Sequence, residues 1–525
     1  MSRTSSTPSG MPRERSLASA SGLALERRML LRADANEQLG MGHAMRMFAL
    51  AEEMARRGYA PWFASRSLAG AEQRIRDAGF PVIGLKGSPD SEIETIKNLI
   101  AGDPTWPGHP PFRFVALDHY LADPDEWLRN SGRLSRRRLA MDDTRSRSLD
   151  CELVVNPALG VRQADYEGLV GSATRLLLGP RYALIRSALR GELAGADARQ
   201  FGAVATVLIA MGGTHATDGS RLAVAAVRRA LPAAEIHVIE STTARRSPFG
   251  SEPGIHMHTA PDDKVMGSIL LSADLAVGAG GVSAYERCLA GLPSVTIELA
   301  DNQAAMVRGL EQSGAAVAAG QLDDISEPAL TEMVVGLAKD QQRRAALSAQ
   351  ARSLVDGRGV HRIANELEGV RFRRPRPDDV QAIWRWRNDP EARANSASQS
   401  PIPWATHQRW FEAAIRDRNV LFLIAYNRAG TLGHVRFELR SDGAEVSIVT
   451  DPIHRGTVGA VMLRAALGRL RRTHGGMRVI ARVRRENAAS RRMFESAAFQ
   501  QRSEGNEMLE YVLHARSAQA NGDAA

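Results

Sequence analysis

Short apolar runs alternate with segments of helical periodicity along most of this chain. From Met29 to about Ile185 the apolar runs fall at 29–31, 60–64, 81–85, 113–117, 138–141 and 153–156. Strands that alternate with helices predict a parallel sheet covered by helices. In the first helical segment Met47, Leu50, Ala51 and Met54 stand at i, i+3, i+4 and i+7, a stripe suited to packing on a sheet. An Ala/Gly/Arg-rich stretch near 186–202 loosens the pattern, and a second alternating region follows with strands at 204–210, 274–277 and 294–299. A polar helical segment covers 341–368. Beyond it the order changes to a strand at 370–373, helices around 377–388 and 406–416, strands at 420–426, 430–439 and 444–450, and a helix from about Val458. Consecutive strands joined by short turns predict an α+β unit. The expected organisation is a tail at 1–28, α/β domains at 29–190 and 191–365, an α+β domain at 366–515 and a tail at 516–525.

In parallel sheets ligands gather at the carboxyl ends of strands, so the polar residues that follow the strands are the candidates for chemistry. The first strand leads through Arg32-Ala33-Asp34 to Gly40-Met41-Gly42-His43-Ala44-Met45-Arg46. Glycine lets backbone approach a ligand, and a helix start adds unpaired N–H groups and the positive end of its dipole. His43 is placed there either for acid–base chemistry or as a helix residue that bonds a carbonyl. Asp118-His119-Tyr120 and Asp142-Asp143 follow later strands. Each aspartate is suited to orienting a sugar hydroxyl or a water, or to capping the next helix.

In the second region Met211-Gly212-Gly213-Thr214 follows the first strand, and Gly278-Ala279-Gly280-Gly281 leads through Ser283 into a helix that holds Glu286. A glycine turn at a helix start can cradle phosphate, although this one matches neither the Walker pattern nor the full dinucleotide fingerprint. Glu286, expected on the first turn, can accept two ribose hydroxyls or complement the helix dipole. Asp301-Asn302-Gln303 offers further donors and acceptors.

With 525 residues, 44% hydrophobic and 24% charged, the chain has the makeup of a multidomain globular protein. The cysteines, Cys151 and Cys288, cannot build a disulfide framework and suit a reducing compartment, so a cytoplasmic location is expected. No apolar run reaches about 18 residues. The Ser/Arg/Ala/Pro-rich first 28 residues lack the apolar core of a signal peptide and read as disordered. The net charge of +9 fits anionic small molecules; basic residues scattered without an aromatic-interleaved stripe argue against nucleic acid.

Together these motifs, with Leu178-Gly179-Pro180-Arg181-Tyr182 and Glu286-Arg287-Cys288, resemble the UDP-sugar hydrolase of pseudaminic acid biosynthesis over roughly residues 29–360. The resemblance implies an α/β fold of two Rossmann-like domains in a GT-B-like arrangement, with the site in the cleft between them. It implies hydrolysis of UDP-2,4-diacetamido-2,4,6-trideoxy-β-L-altropyranose to UDP and the free sugar. His43 would be the base that activates water. Backbone N–H groups around Gly280 and Gly281 would stabilise the leaving diphosphate without a metal, with Gly212, Gly213, Ser283 and Glu286 completing the nucleotide site. Asp34, Gly42, Arg46, Asp118, His119, Tyr120, Asn302 and Gln303 would hold sugar or water. The same fold also suits a glycosyltransferase, with an acceptor hydroxyl in place of water.

Farther along, Arg455-Gly456-Thr457-Val458-Gly459-Ala460 with Asn487, Ser490, Phe494 and Phe499 resembles the GNAT acetyltransferases. Their loop presents N–H groups at a helix start to acetyl-CoA, which makes Arg455, Gly456, Val458, Gly459, Ala460, Asn487 and Ser490 candidates for binding this co-substrate. There are two departures from the family. Val458 replaces a glycine of the R-G-x-G-x-G form, which is expected to weaken coenzyme binding, and Phe494 cannot donate the proton that a tyrosine gives the leaving thiolate.

Trp386-Arg387-Asn388 and His407 with Trp410 resemble the variant that acetylates the 4-amino group of the UDP-amino sugar in the same pathway, with Arg387, Asn388 and His407 as substrate contacts. His407 also reads as a satisfied helix histidine, and Trp404 and Trp410 as core. Glu445 is the candidate base for the ammonium group, or a solvent-facing strand carboxylate. The expectation is a bifunctional enzyme, monomeric or a small homo-oligomer, whose partners are a UDP-sugar and acetyl-CoA, with neither nucleic acid nor membrane. A coenzyme-binding module without catalysis is the alternative for the C-terminal part.

Overall fold

The computed structural model describes residues 27–514 apart from 36–40, 69–70, 102–111, 119–123, 195–198, 213–215, 241–248, 250–251, 429 and 505–506. The chain forms two compact units, residues 1–360 and 361–525. The tails expected at 1–28 and 516–525, apart from residues 27 and 28, lie outside the described residues, as do Gly40, His119, Tyr120, Gly213, Thr214 and the side chain of Asn302. Among the described residues no helix is long and apolar enough to cross a membrane.

The first unit holds two parallel sheets. One contains β1 (Arg28–Ala33), β2 (Ala60–Ser65), β3 (Val82–Gly84), β4 (Phe114–Asp118), β5 (Arg138–Met141), β6 (Leu153–Asn156) and β7 (Arg175–Leu178) in the order β3-β2-β1-β4-β5-β6-β7. The other contains β8 (Thr206–Ala210), β9 (Glu235–Glu240), β10 (Ile255–Thr259), β11 (Leu275–Ala279), β12 (Ser294–Glu298) and β13 (Val317–Gln321) in the order β10-β9-β8-β11-β12-β13. Their central strands are buried on both faces: every residue of β1, β4, β11 and β12 is out of solvent. That is why they read as near-continuous apolar runs.

In each sheet the strand order reverses once, between β1 and β4 and between β8 and β11. A reversal opens a crevice at the carboxyl ends of the strands. The glycine loops leave from these points, and the two crevices face each other. A Cβ at Gly42, which starts the helix Gly42–Arg56, would lie 3.4 Å from Val282, which starts the helix Val282–Ala290. This is the two-Rossmann, GT-B-like arrangement. Arg74 and Arg186 both pair with Asp263, at 2.7 and 2.8 Å, and tie the halves together.

Two expectations are corrected. No helix follows β5, so Asp142 and Asp143 do not cap one; Asp142 closes a turn by accepting from Thr144 and Arg145 N–H, and takes the Tyr166 hydroxyl at 2.8 Å. The polar segment 341–368 is two helices, Gln341–Leu354 and Gly359–Glu368, parted by a turn in which Gly357 has φ +69°. A Cβ at Gly359 would sit 2.1 Å from the Ala183 carbonyl oxygen. Gly359→Ala is therefore expected to cost about 1–3 kcal/mol in urea unfolding, the range for overpacked sites.

The second unit is one seven-stranded sheet of β14 (Arg371–Arg373), β15 (Val420–Asn427), β16 (Gly430–Arg440), β17 (Gly443–Thr450), β18 (Val479–Arg484), β19 (Gln500–Glu504) and β20 (Met508–Leu513), in the order β14-β15-β16-β17-β18-β20-β19. Its pairs are antiparallel except β17 with β18, which are parallel and pair only at Ala444–Val479 and Glu445–Ile480. Beyond Glu445 the two strands part.

Candidate functional site

His43 lies in the first turn of its helix and Arg46 one turn on, so both look out from the same helix face. Asp118 ends β4 and Asp143 follows β5. The His43 Nδ1 is 2.6 Å from Asp118 Oδ1. Arg46 donates to both oxygens of Asp118, Nε at 2.6 Å and Nη2 at 2.7 Å, and to both oxygens of Asp143, at 3.0 and 2.7 Å. His43, Arg46 and Asp118 are all buried. Burial alone would raise the Asp118 carboxyl, but Arg46 and His43 outweigh it and hold the group well below the usual carboxylate range. Asp143 is likewise held down, burial opposing and Arg46 prevailing. Arg46 Nη2 also lies 3.1 Å from Nδ1 but spends its two hydrogens on Asp118 and Asp143, so the carboxylate at 2.6 Å makes Nδ1 the donor and leaves Nε2 as the basic nitrogen.

Four candidates of the first half thus occupy one place: Gly42, His43, Arg46 and Asp118. Arg46, expected at the sugar, is clamped between two carboxylates. Asp34 is held as well. It accepts from Arg32 at 2.6 and 3.1 Å, from Ser65 Oγ and from Arg66 N–H, in a buried network that includes Glu92 and Trp127. Asp143 joins the site although only its capping and hydroxyl-orienting roles were legible.

Across the cleft, Gly212 takes φ +61° just past β8, a left-handed conformation that glycine adopts at little cost. Gly280 packs so closely under Val307 that a Cβ would lie 2.4 Å from it. Its N–H is donated to the Ile297 carbonyl at 3.1 Å, so it is corrected as an anion donor. The helix start follows at Gly281, Val282 and Ser283. Glu286 is the fifth residue of the helix, one turn later than expected, and its carboxylate is held by Arg186 at 3.1 Å. The Gln303 side chain turns back to accept from Leu299 N–H at 3.1 Å, which places it in the strand-end turn.

In the second unit a cavity of about 240 Å³ opens on the sheet face that carries Ser447. Arg387, His407, Trp410, His434 and Arg436 line it, and no carboxylate does. Arg436 stacks on Trp410 at 5.2 Å. Burial, then Arg387, Arg436 and His407, push the His434 imidazole down to about 3, so it is neutral. The parting of β17 and β18 runs into the loop 451–458 and the helix Gly459–His474.

The acetyltransferase (GNAT) domain family matches residues 370–500. This part of the chain is a GNAT domain. The chain is 23% identical over 357 residues to the spore coat polysaccharide biosynthesis protein SpsG of Bacillus subtilis, covering 64% of this chain and 97% of that protein. It is 28% identical over 187 residues to the UDP-2,4-diacetamido-2,4,6-trideoxy-β-L-altropyranose hydrolase of Campylobacter jejuni, covering 36% of this chain and 61% of that protein. Among solved structures, MurG of Acinetobacter baumannii aligns at 12% identity with a TM-score of 0.45, over 65% of this chain and 99% of that chain.

Within the GNAT domain the candidate residues divide. Arg387 and His407 reach the cavity. Asn388 does not: its side chain bonds the Ile402 carbonyl and N–H, at 3.1 and 2.7 Å, and pins a loop. Arg455, expected at the coenzyme, is paired with Asp389 and Glu391. Gly456 has φ +75°, and Gly459 and Ala460 open the helix. Val458 has φ −116° and is fully buried in the core, so no glycine is needed for that backbone. Asn487 caps the helix Ala488–Glu495 by accepting from Ser490 N–H at 3.0 Å. Phe494 packs on Phe499 in the core, 5.0 Å between ring centroids. Glu445 is held by Arg440 at 2.9 Å, with Arg482 at 3.7 Å, and does not line the cavity, where Ser447 stands instead.

Proposed function

We propose that the first unit hydrolyses a nucleoside-diphosphate sugar, of the UDP-2,4-diacetamido-2,4,6-trideoxy-β-L-altropyranose class, and that the GNAT domain transfers acetyl from acetyl-CoA to the amine of a related UDP-amino sugar. The His43–Asp118 contact carries the first half. Asp118 accepts a hydrogen bond from Nδ1–H, Nε2 takes a proton from water to give the imidazolium, and the resulting hydroxide attacks the anomeric carbon. The bond from that carbon to the diphosphate oxygen breaks, and UDP leaves with the electron pair. N–H groups of Gly281, Val282 and Ser283 lie at a helix start suited to its charge. Asp118, kept ionised by Arg46, stabilises the imidazolium. The test is UDP release from the diacetamido UDP-sugar without added acceptor; release only when an acceptor alcohol is supplied would replace hydrolysis by glycosyl transfer.

For the second half, the edges that part beyond Glu445 suit an extended coenzyme arm, and the cavity, where Arg387 stands with Arg436, itself paired with Glu438 at 2.9 Å, and no carboxylate is among the described lining residues, suits an anionic acceptor. Arg387→Ala is expected to raise the KM for the amino sugar about tenfold or more and leave that for acetyl-CoA unchanged. Equal changes in both would argue against an acceptor role.

A further inference from the structure

The hydrolytic scheme makes no use of Arg287, a buried cation beneath the glycine loop. This side chain is 2% exposed and turns back under the loop, where Nη2 donates to the Ala279 carbonyl at 2.8 Å and Nη1 to Ser283 Oγ at 3.2 Å. Its Nε has no hydrogen-bond partner, and no carboxylate of the described residues forms an ion pair with it. The adjacent Glu286 is bound to Arg186.

Other buried arginines of the unit are better provided for. Arg32 and Arg46 hold two carboxylates each, and Arg344, which also lacks one, spends its donors on main-chain carbonyls. Burial pushes the Arg287 guanidinium down to about 10, with Glu286 opposing from its pair with Arg186, so it stays charged at neutral pH with no carboxylate of the described residues in direct contact. Gly278 makes room for it: a Cβ there would lie 2.6 Å from Nη1.

The loop above this charge is built to receive an anion. The N–H groups of Gly280 and Ala284 are taken by Ile297 and Gly281 carbonyls, which leaves those of Gly281, Val282 and Ser283 at the helix start. A Cβ on Gly281 would meet nothing closer than 3.9 Å, so the turn is open on that side.

We infer that Arg287 is the counter-charge for a diphosphate seated on the 281–283 turn, a positioning residue that acts through Ala279 and Ser283 and makes the site prefer UDP to uridine. The inference rests on the reading that this cleft takes a nucleoside diphosphate. The role is electrostatic, so it is separable from plain structural support.

Isothermal titration of the full chain with UDP and with uridine tests it, on wild type, Arg287→Met and Arg287→Lys. Wild type is expected to bind UDP more tightly than uridine. In Arg287→Met the preference falls by about tenfold, the equivalent of about 1.4 kcal/mol, while uridine affinity holds; in Arg287→Lys, which keeps the charge, most of the preference remains. A preference unchanged in Arg287→Met, a parallel loss for both ligands, or a wild type that does not distinguish them would each overturn the inference. Should Arg287→Met fail to fold, Arg287→Lys decides: retained preference supports the counter-charge, and equal binding of the two ligands by the folded variant refutes it. Wild type that prefers UDP yet hydrolyses no UDP-sugar would defeat the hydrolase reading and leave this one standing.

Discussion

His43→Ala is expected to lower UDP release about 10²–10⁴-fold, the range that a positioned acid–base group supplies, while the protein stays folded. The fold survives because Asp118 keeps Arg46 as its partner, with two hydrogen bonds of 2.6 and 2.7 Å. Activity does not, because among the described residues His43 is the one side chain whose basic nitrogen Asp118 can orient. A continuous assay of UDP release with matched melting curves checks both statements. Release at the wild-type rate from a folded variant would remove His43 as the base and leave the water to be activated by another group.

Arg46→Met is expected to have the largest effect on stability, about 3–5 kcal/mol, because it strips the guanidinium from two buried carboxylates at once. The pH dependence should reverse as well. In the wild type Asp118 and Asp143 are held below the usual carboxylate range, so their contribution to stability is fully present above about pH 4, the unfolded value, and is lost as pH falls below it. In Arg46→Met burial and the Asp118 charge are left to raise the Asp143 carboxyl, while His43 still opposes burial at Asp118. The variant should then gain stability between neutral pH and about pH 5, where the wild type gains none from these groups. Urea unfolding at the two pH values measures this, and a variant whose stability falls on acidification would show that the clamp does not hold these charges.

Legibility followed range along the chain. The loops at 40–46, 278–281 and 455–460 could be read because glycine, a helix start and the preceding strand are all local signals. What those loops meet could not. Asp118 lies 75 residues from His43 and Asp143 lies 97 from Arg46, and nothing in the sequence states which strand is the neighbour of β1. The sequence around Arg46 points to a ligand, and the carboxylates that the fold sets against it come from distant strands. The strand β10 is the edge of its sheet and β9 lies next to it, and both are partly exposed, so they lack the apolar run that betrayed β1 and β11. Arg287 did leave a trace, a charged residue i+3 from Ala284 and beside Cys288 on the buried side of its helix, but its burial without a carboxylate emerges only in three dimensions.

In the GNAT domain the same division holds. The order of strands and helices and the family loop are visible in periodicity and motif. That Val458 replaces glycine without strain depends on its φ, that Phe494 is core depends on Phe499 and Tyr511, and that Glu445 is held by Arg440 and Arg482 depends on the sheet register. The chain by itself determined the period of each element and the places where backbone turns or approaches closely, because these are settled within a few residues. Tertiary structure alone decided which charges meet, which are buried and which nitrogen of His43 is basic, because those energies depend on distance and solvent access across segments far apart in sequence.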